Sequence, residues 1–507
     1  MRFNKNHHYS MRNLSRTVLA VACLVGLLLL TIGCGGAGSS LAKNPGDGGV
    51  GVLFSAPSTT PLQVWVGAEP ADRILSFQLD VSSITLKKSQ DVNVSSDLLP
   101  DASALELTRV AATFEPVAVS DVTPNTYDQL EMVVSGARVT YLDVNGVVQE
   151  KDVVSNQTSR LTLSPAVVVG DIRTMLSIAV DVEQTVQVDP VNNLVTLNPP
   201  VLSATQSDIA SSPGPSPSGI HARPKTQAMS ASNTGKIERL VGQVVSAASD
   251  QLSLQLGQSG SVLTLYTDGN TMFENTTPDT VNGMLVEVQG RALTDGTLYA
   301  SDVVALFPAT GVEVEGTLAG NNPSGLLNLV PQDGIGAGMT TALVGAKISV
   351  EADGSTSYMV SFGNEDMTGL PVVFDENHIS SAQRIEVESN QALQPDPAGN
   401  PAQVQPYLVE LLRQTLKGTV QNYQAGDLGT AEFDLVLSQN SYVSLMNVGT
   451  GTVHVYQVST TQLSSAIQNG NSMSVRGFLF CTDPTGKIPP GTTLHFAMAA
   501  SSINGTD

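Results

Sequence analysis

Apolar and polar residues alternate along most of this chain. Leu62-Gln63-Val64-Trp65-Val66 and Phe77-Gln78-Leu79-Asp80-Val81 repeat with period two, and the second run continues into Ile84-Thr85-Leu86. Residues 130–134, 139–142 and 176–182 do the same. A side chain on one face at every second residue marks a half-buried strand. Asn145-Gly146 lies between two such runs and predicts a two-residue hairpin, whose turn positions both need positive φ. Helical period is confined to residues 406–416 and 460–467, both brief. The pattern predicts an all-β protein, its first part a β-sandwich built from closely spaced short strands.

The pattern breaks at residues 205–236, where Pro213, Pro215, Pro217 and Pro224 stand among Ser, Ala and Gly. Such a stretch buries too little apolar surface to offset its ordering entropy, so it reads as a linker. Beyond it the chain repeats itself. Gly242-Gln243-Val244, Gly316-Thr317-Leu318 and Gly418-Thr419-Val420 each open a unit. Val286-Glu287-Val288-Gln289-Gly290 closes in on the end of the first, and Met473-Ser474-Val475-Arg476-Gly477 holds that place in the third. The middle unit offers Ile385-Glu386-Val387-Glu388, without the glycine. Its greater length implies insertions. Each unit suffices for a small barrel of five or six strands. The expected layout is a sandwich at 51–204 and barrels at 237–308, 309–415 and 416–507.

The N-terminus adds an address. Arg2, Lys5, Arg12 and Arg16 precede an uncharged apolar run, residues 17–32, and then Gly33-Cys34. A basic start, a short apolar stretch and a small residue before the cut describe a secretory signal over residues 1–33. The apolar run is at the short end of what a bilayer-spanning helix needs. Residues 34–50 form a Gly-rich tether. The whole chain carries a formal charge of −22, and loss of four basic groups with the leader makes the mature form more acidic still. That balance opposes nucleic acid and anionic lipid surfaces, which clustered Lys and Arg recognise. Of the three cysteines, Cys23 leaves with the leader and Cys34 is the new N-terminus. No intrachain disulfide is then expected, and the domains must rely on core packing. Cys481, after Phe478-Leu479-Phe480, reads as a small buried hydrophobe.

These features resemble known families. A cysteine directly after the cut resembles a bacterial lipoprotein signal, with Thr31 where leucine is usual. That resemblance implies acylation of Cys34, including palmitate, and Gly35 rather than aspartate at the next position implies the outer membrane. Residues 51–200 resemble a β-sandwich domain of unknown function found behind lipoprotein signals, through residues 77–86, 122–137 and 176–182. That family shows a Thr-Asp-Ala-Pro motif where this chain reads Phe54-Ser55-Ala56-Pro57. Residues 237–507 resemble tandem copies of a second domain of unknown function, for which an OB-like barrel is implied.

Candidate chemistry is sparse. His221, His378, His454 and His495 show no metal-ligand spacing, and no cysteine pair exists. Gly334-Ile335-Gly336-Ala337-Gly338 lacks the third glycine and the helix of a dinucleotide loop, so it reads as a flexible hairpin loop. Gly257-Gln258-Ser259-Gly260 is no nucleophile elbow. Glu365-Asp366 and Asp375-Glu376 lack calcium-loop spacing. Asp268-Gly269, Asp295-Gly296 and Asp353-Gly354 read as turns. Trp65, the sole tryptophan, is expected in a core. The expectation is a membrane-anchored envelope lipoprotein, periplasmic or surface-exposed, with a non-catalytic binding, adhesion or structural role. No catalytic residue, cofactor or metal is expected. Its partners would be the membrane, through the lipid on Cys34, and an envelope protein or glycan. Nucleic acid is not expected. The alternatives are a glycan-processing enzyme using Asp375 and Glu376 and a divalent-cation-binding protein.

Overall fold

A computed structural model describes residues 59–505 except 100–101, 171–173, 209–235, 257–261, 293–297, 307–310, 322–325, 361–366, 368, 395–400, 426–430, 447–450, 459–466 and 484–494. The leader, Cys34, the tether, residues 54–57, His221 and the segments at 257–260, 295–296, 365–366 and 460–466 lie outside these residues.

The chain is all-β, as its alternation predicts. The sandwich comprises β1 (Thr60–Glu69), β2 (Ile74–Lys88), β3 (Asp91–Asp97), β4 (Ser103–Glu106), β5 (Phe114–Val122), β6 (Asn125–Leu142), β7 (Val148–Val169), β8 (Thr174–Asp181), β9 (Val186–Asp189), β10 (Leu194–Leu197) and β11 (Val201–Asp208). One sheet runs β11-β8-β1-β5, with β1 and β8 parallel. The other runs β3-β2-β6-β7, with β4 beside β2. Leu62 and Val64 from one sheet meet Phe77, Leu79, Tyr127 and Tyr141 from the other in a single core. The short helix α1 (Val182–Thr185) starts where the Asp181 carboxylate accepts the Gln184 backbone N–H at 2.9 Å.

Three local expectations need correction. The 145–146 hairpin exists, but its loop spans residues 143–147 and only Gly146 takes positive φ. The Asp143 carboxylate supplies what the second positive-φ residue would have, accepting the Asn145 and Val147 backbone N–H groups. The expected linker does not begin at 205: β11 continues to Asp208, with Thr205 opposite Ser177 and Asp208 opposite Thr174. Residues 406–416 are not helical; tertiary pairing overrides their local period, and they lie across two strands, Leu408–Leu411 and Arg413–Ala425.

The first repeat comprises β12 (Lys236–Ala247), β13 (Gln251–Leu256), β14 (Val262–Tyr266), β15 (Met272–Glu274), β16 (Leu285–Ala292) and β17 (Leu298–Ala305). The order β14-β13-β12-β16-β17 closes on itself through a parallel β14–β17 pairing. The third comprises β25 (Arg413–Ala425), β26 (Ala431–Leu437), the helix α2 (Tyr442–Met446), β27 (Thr452–Gln457), β28 (Ser472–Cys481) and β29 (Phe496–Gly505). It forms the closed barrel β25-β26-β27-β29-β28. Both have the five-strand order 1-2-3-5-4-1, an OB-like wiring. The middle repeat comprises β18 (Val312–Asn321), β19 (Leu327–Gly336), β20 (Ile348–Val350), β21 (Ser357–Val360), β22 (Arg384–Ser389), β23 (Gln403–Val404) and β24 (Leu408–Leu411). Its third run is split into β20 and β21 and its fifth into β23 and β24; the parallel pairings β20–β23 and β21–β24 join them, so the order 1-2-3-5-4-1 closes here as well. Gly334 and Gly336 therefore sit in a paired strand, opposite Val314 and Val312, rather than in a loop.

Residues 57–507 form one compact unit, and the repeats are docked on the sandwich. Trp65 points away from the sandwich core yet is only 4% exposed, because it joins Met175, Ile237, Leu240 and Val286 in the first barrel's cluster. On the opposite sheet, Thr140 Oγ1 donates to Gly345 O at 2.6 Å and Arg138 donates to Ala342 O at 2.8 Å, seating a turn of the middle unit. A Cβ at Gly345 would come within 2.9 Å of that Thr140 oxygen. The third barrel meets the sandwich's end, where Arg73 reaches Asn440 at 2.6 Å and Thr415 donates to Ala111 O at 2.9 Å. Phe478 and Phe480 of β28 enter the middle unit's core, while Leu479 and Cys481 fill the third barrel.

Candidate functional site

The densest chemistry lies where the sandwich meets the middle sheet. In β18, β22 and β24, valines and isoleucines alternate with glutamates. Val314, Ile385, Val387, Val409 and Leu411 enter the core, which sends Glu313, Glu315, Glu386, Glu388 and Glu410 to the opposite face. Register places Glu313 beside Glu388, and Glu315 and Glu410 on either side of Glu386. The carboxylates of Glu386, Glu388 and Glu410 lie within 4.8 Å of one another. Like charges facing each other across strands are destabilising unless compensated. Arg384, nearly buried, pairs with Glu315, and Tyr407 donates to Glu388. Proximity to the carboxylate Glu388 and burial raise the Tyr407 phenol above its usual range, burial being the larger cause.

The acidic row leads to a cavity of about 70 Å³ lined by Glu106, Arg109, Glu115, Gln332 and Asp333, with Leu256 of the first barrel at its edge. Arg109 grips Glu115 in bidentate fashion, with its Nε 3.8 Å from Asp333. Burial works against the guanidinium's charge, but Glu115, Asp333, Glu315 and Glu106 more than reverse this and hold it protonated. Glu106 accepts the backbone N–H groups of Phe77 (2.8 Å) and Arg109 (2.7 Å) and the Thr108 hydroxyl (2.7 Å). Burial outweighs those bonds and pushes its carboxyl up to about 7. Glu115 is raised as well, again chiefly by burial. Gln332 crosses the junction, donating to Leu75 O at 2.8 Å and to Thr108 Oγ1 at 3.0 Å. A second cavity, about 40 Å³, opens where Arg384, Gln414 and Tyr442 approach Ala71 and Ile74. Each has room for only a few waters, and neither approaches the few hundred Å³ of a metabolite site.

The residues singled out in the sequence lie elsewhere. Asp375 caps a turn, accepting the backbone N–H groups of Asn377 and His378 and holding His378 Nδ1 at 2.7 Å. Burial alone would raise its carboxyl, but these bonds and His378 hold it below its ordinary value. Glu376 beside it is exposed. His454 leans on Asp434 at 2.8 Å and edges onto Tyr456; His495 pairs with Asp483 at 3.0 Å. Trp65 Nε1 donates to Gln63 at 3.1 Å. Asp268 and Asp353 cap turns as expected. Cys481 is fully buried, and burial pushes its thiol up to about 11. Sequence reading passed over Glu106, Arg109, Glu115 and Gln332. The glutamate alternation at 385–388 was visible, but a strand with one polar face reads as solvated, whereas Glu386 is 1% exposed.

Comparison with known proteins places one part of the chain. Residues 241–304, the first barrel, match the model of a family described as a domain of unknown function (DUF5666). No curated protein matches. Among solved structures, the single-stranded DNA binding protein of Thermus aquaticus is 17% identical, over 39% of this chain and 93% of that one, with a TM-score of 0.15. The CSD456 segment of Drosophila Unr is 10% identical, over 54% and 98%, with a TM-score of 0.12. Scores this low carry no argument about ligands. Within 241–304, then, this chain is similar to a family described as a domain of unknown function.

Proposed function

We propose that the protein is an exported lipoprotein, held at the cell envelope by an acylated Cys34, whose role is binding, adhesion or architecture rather than catalysis. The observation that carries this reading is the basic leader, short apolar run and Gly33-Cys34 junction. Two features support it. The sandwich and repeats share buried contacts, which suits a body that presents a surface. The two cavities at their junctions are also too small for a metabolite. Lipid anchoring of such a body raises the effective concentration of any weak site on it. The test is mass spectrometry of the N-terminal peptide and membrane fractionation of the native chain against Cys34→Ser. Acylation and membrane recovery that are lost in the variant are expected; an unmodified, soluble Cys34 chain contradicts the reading. A glycan array and a cross-linked pull-down from envelope fractions, both on the full mature chain, then identify the partner.

The cation-binding alternative has the Glu386–Glu388–Glu410 row on its side. Calcium-dependent melting decides it: an unchanged melting temperature in calcium removes that reading.

A further inference from the structure

We propose that a covalent bond joins the sandwich to the middle repeat: an ester that the Thr108 hydroxyl forms with the side-chain amide of Gln332, Glu106 acting as the base.

The three groups stand in line at the junction. Thr108 Oγ1 donates to the Glu106 carboxyl at 2.7 Å and accepts from Gln332 Nε2 at 3.0 Å, across 224 residues of chain. A hydroxyl held between a carboxylate and an acyl group is placed as an activated nucleophile. Leu75 O, at 3.2 Å, is its longer alternative acceptor. The backbone N–H groups of Phe77 and Arg109 fix Glu106, so base and hydroxyl are positioned together by the sandwich. Gln332 comes from β19 and is 5% exposed. Its Nε2 also approaches Leu75 O and Thr317 Oγ1, whereas its Oε1 is buried with no hydrogen-bond partner among the described residues. An amide oxygen left in that state carries a desolvation cost. An ester carbonyl is a weaker acceptor and bears less of it.

The step balances without a co-reactant. The Gln332 amide turns about its Cγ–Cδ bond to present Cδ, and the cavity of about 70 Å³ that it lines gives it room. Thr108 Oγ1 bonds to Cδ as its proton passes to Glu106. The Cδ–Nε2 bond then breaks, Glu106 returns the proton to that nitrogen, and ammonia leaves. With its carboxyl raised to about 7, Glu106 can take and return a proton near neutral pH. Arg109 lines the same cavity as the cation for charge building on Oε1; its Nε is buried, makes no hydrogen bond and lies 3.8 Å from Asp333. Escape of ammonia drives the exchange forward, and exclusion of water protects the ester.

Mass spectrometry of the mature chain bearing Cys34→Ser, unfolded beforehand, tests the bond. The intact mass is expected to fall short of the sequence by one ammonia, and a tryptic digest to yield a peptide pair joined through Thr108 and Gln332. The location decides, because a succinimide at Asn145-Gly146 also loses ammonia but joins no peptides. Thr108→Val should restore the full mass and Thr108→Ser should keep the link. Glu106→Gln should slow its formation by about a hundredfold, the worth of a positioned base. Recovery of Thr108 and Gln332 wholly in separate peptides would overturn the proposal, as would a link through Thr317 or one that forms undiminished in Glu106→Gln. Should the variants fail to fold, the digest of the chain with Thr108, Gln332 and Glu106 intact decides alone.

Discussion

The first and third repeats each close through one uninterrupted pairing, whereas the middle one, built on the same wiring, closes through a broken one. In the first and third the third strand runs parallel to the fifth, β14 to β17 and β27 to β29. In the middle repeat the same parallel pairing comes in two parts, β20 with β23 and β21 with β24, on either side of the turn at 351–356. Between them the Glu351 backbone N–H donates to Val404 O and that of Ser357 to Tyr407 O, which satisfies backbone groups along the seam. A second difference lies in the fourth strand. Gly290 and Gly477 occur at bulges where a Cβ would sit 1.9 Å and 2.2 Å from carbonyl oxygens of the fifth strand. Aligning Val286-Glu287-Val288-Gln289-Gly290 with Ile385-Glu386-Val387-Glu388-Ser389 puts a serine at that position, and the β22–β24 ladder has no bulge. Glycine-permitted bulges coil the sheets of the first and third barrels at this point; the middle repeat closes without one, across its two-part seam.

The comparison can be broken at that aligned position. Gly477→Val and Gly290→Val each force a backbone clash and should cost about 3 kcal/mol or more in urea unfolding. Ser389→Val should cost about 1 kcal/mol, the worth of the bond from its hydroxyl to Gln405 O at 2.7 Å. Equal costs at all three positions would mean that the bulges impose no special demand for glycine.

The middle repeat also docks on the sandwich, through Gln332. Gln332→Ala removes buried donors to Leu75 O and Thr108 and should cost about 2 kcal/mol by denaturant melting. Glu106→Gln should flatten the fall in stability between pH 4.5 and about 7, a difference on the order of 3 kcal/mol at pH 8 in favour of the variant. The closed third barrel should register least. Cys481 with its raised thiol should react with a thiol reagent at pH 8 only after unfolding. Labelling at the rate of a free thiol would show that this barrel opens.

What could be read from the sequence follows the same division. Strand alternation, the glycines at 242, 316 and 418, the missing glycine of the middle repeat and the burial of Trp65 and Cys481 are local signals, and all were legible. Docking was not. It is carried by Thr140 on Gly345, Arg138 on Ala342 and Gln332 on Leu75, polar groups more than 200 residues apart that alternation assigns to solvent. Residues 406–416 misled for a related reason: Leu408 and Leu411 fit a helical stripe, but each belongs to a strand whose partner is β22. The site was hidden as well, since Glu106 and Glu115 become unusual only once the fold buries them.

Small-angle scattering from the mature chain carrying Cys34→Ser tests most directly whether the modules are docked. Residues 57–507 as one body predict a radius of gyration of about 22–25 Å and a single-peaked distance distribution, the tether adding only a weak tail. A markedly larger radius with separate peaks, one for each module, would contradict the docked body that the buried contacts between the sandwich and the repeats describe.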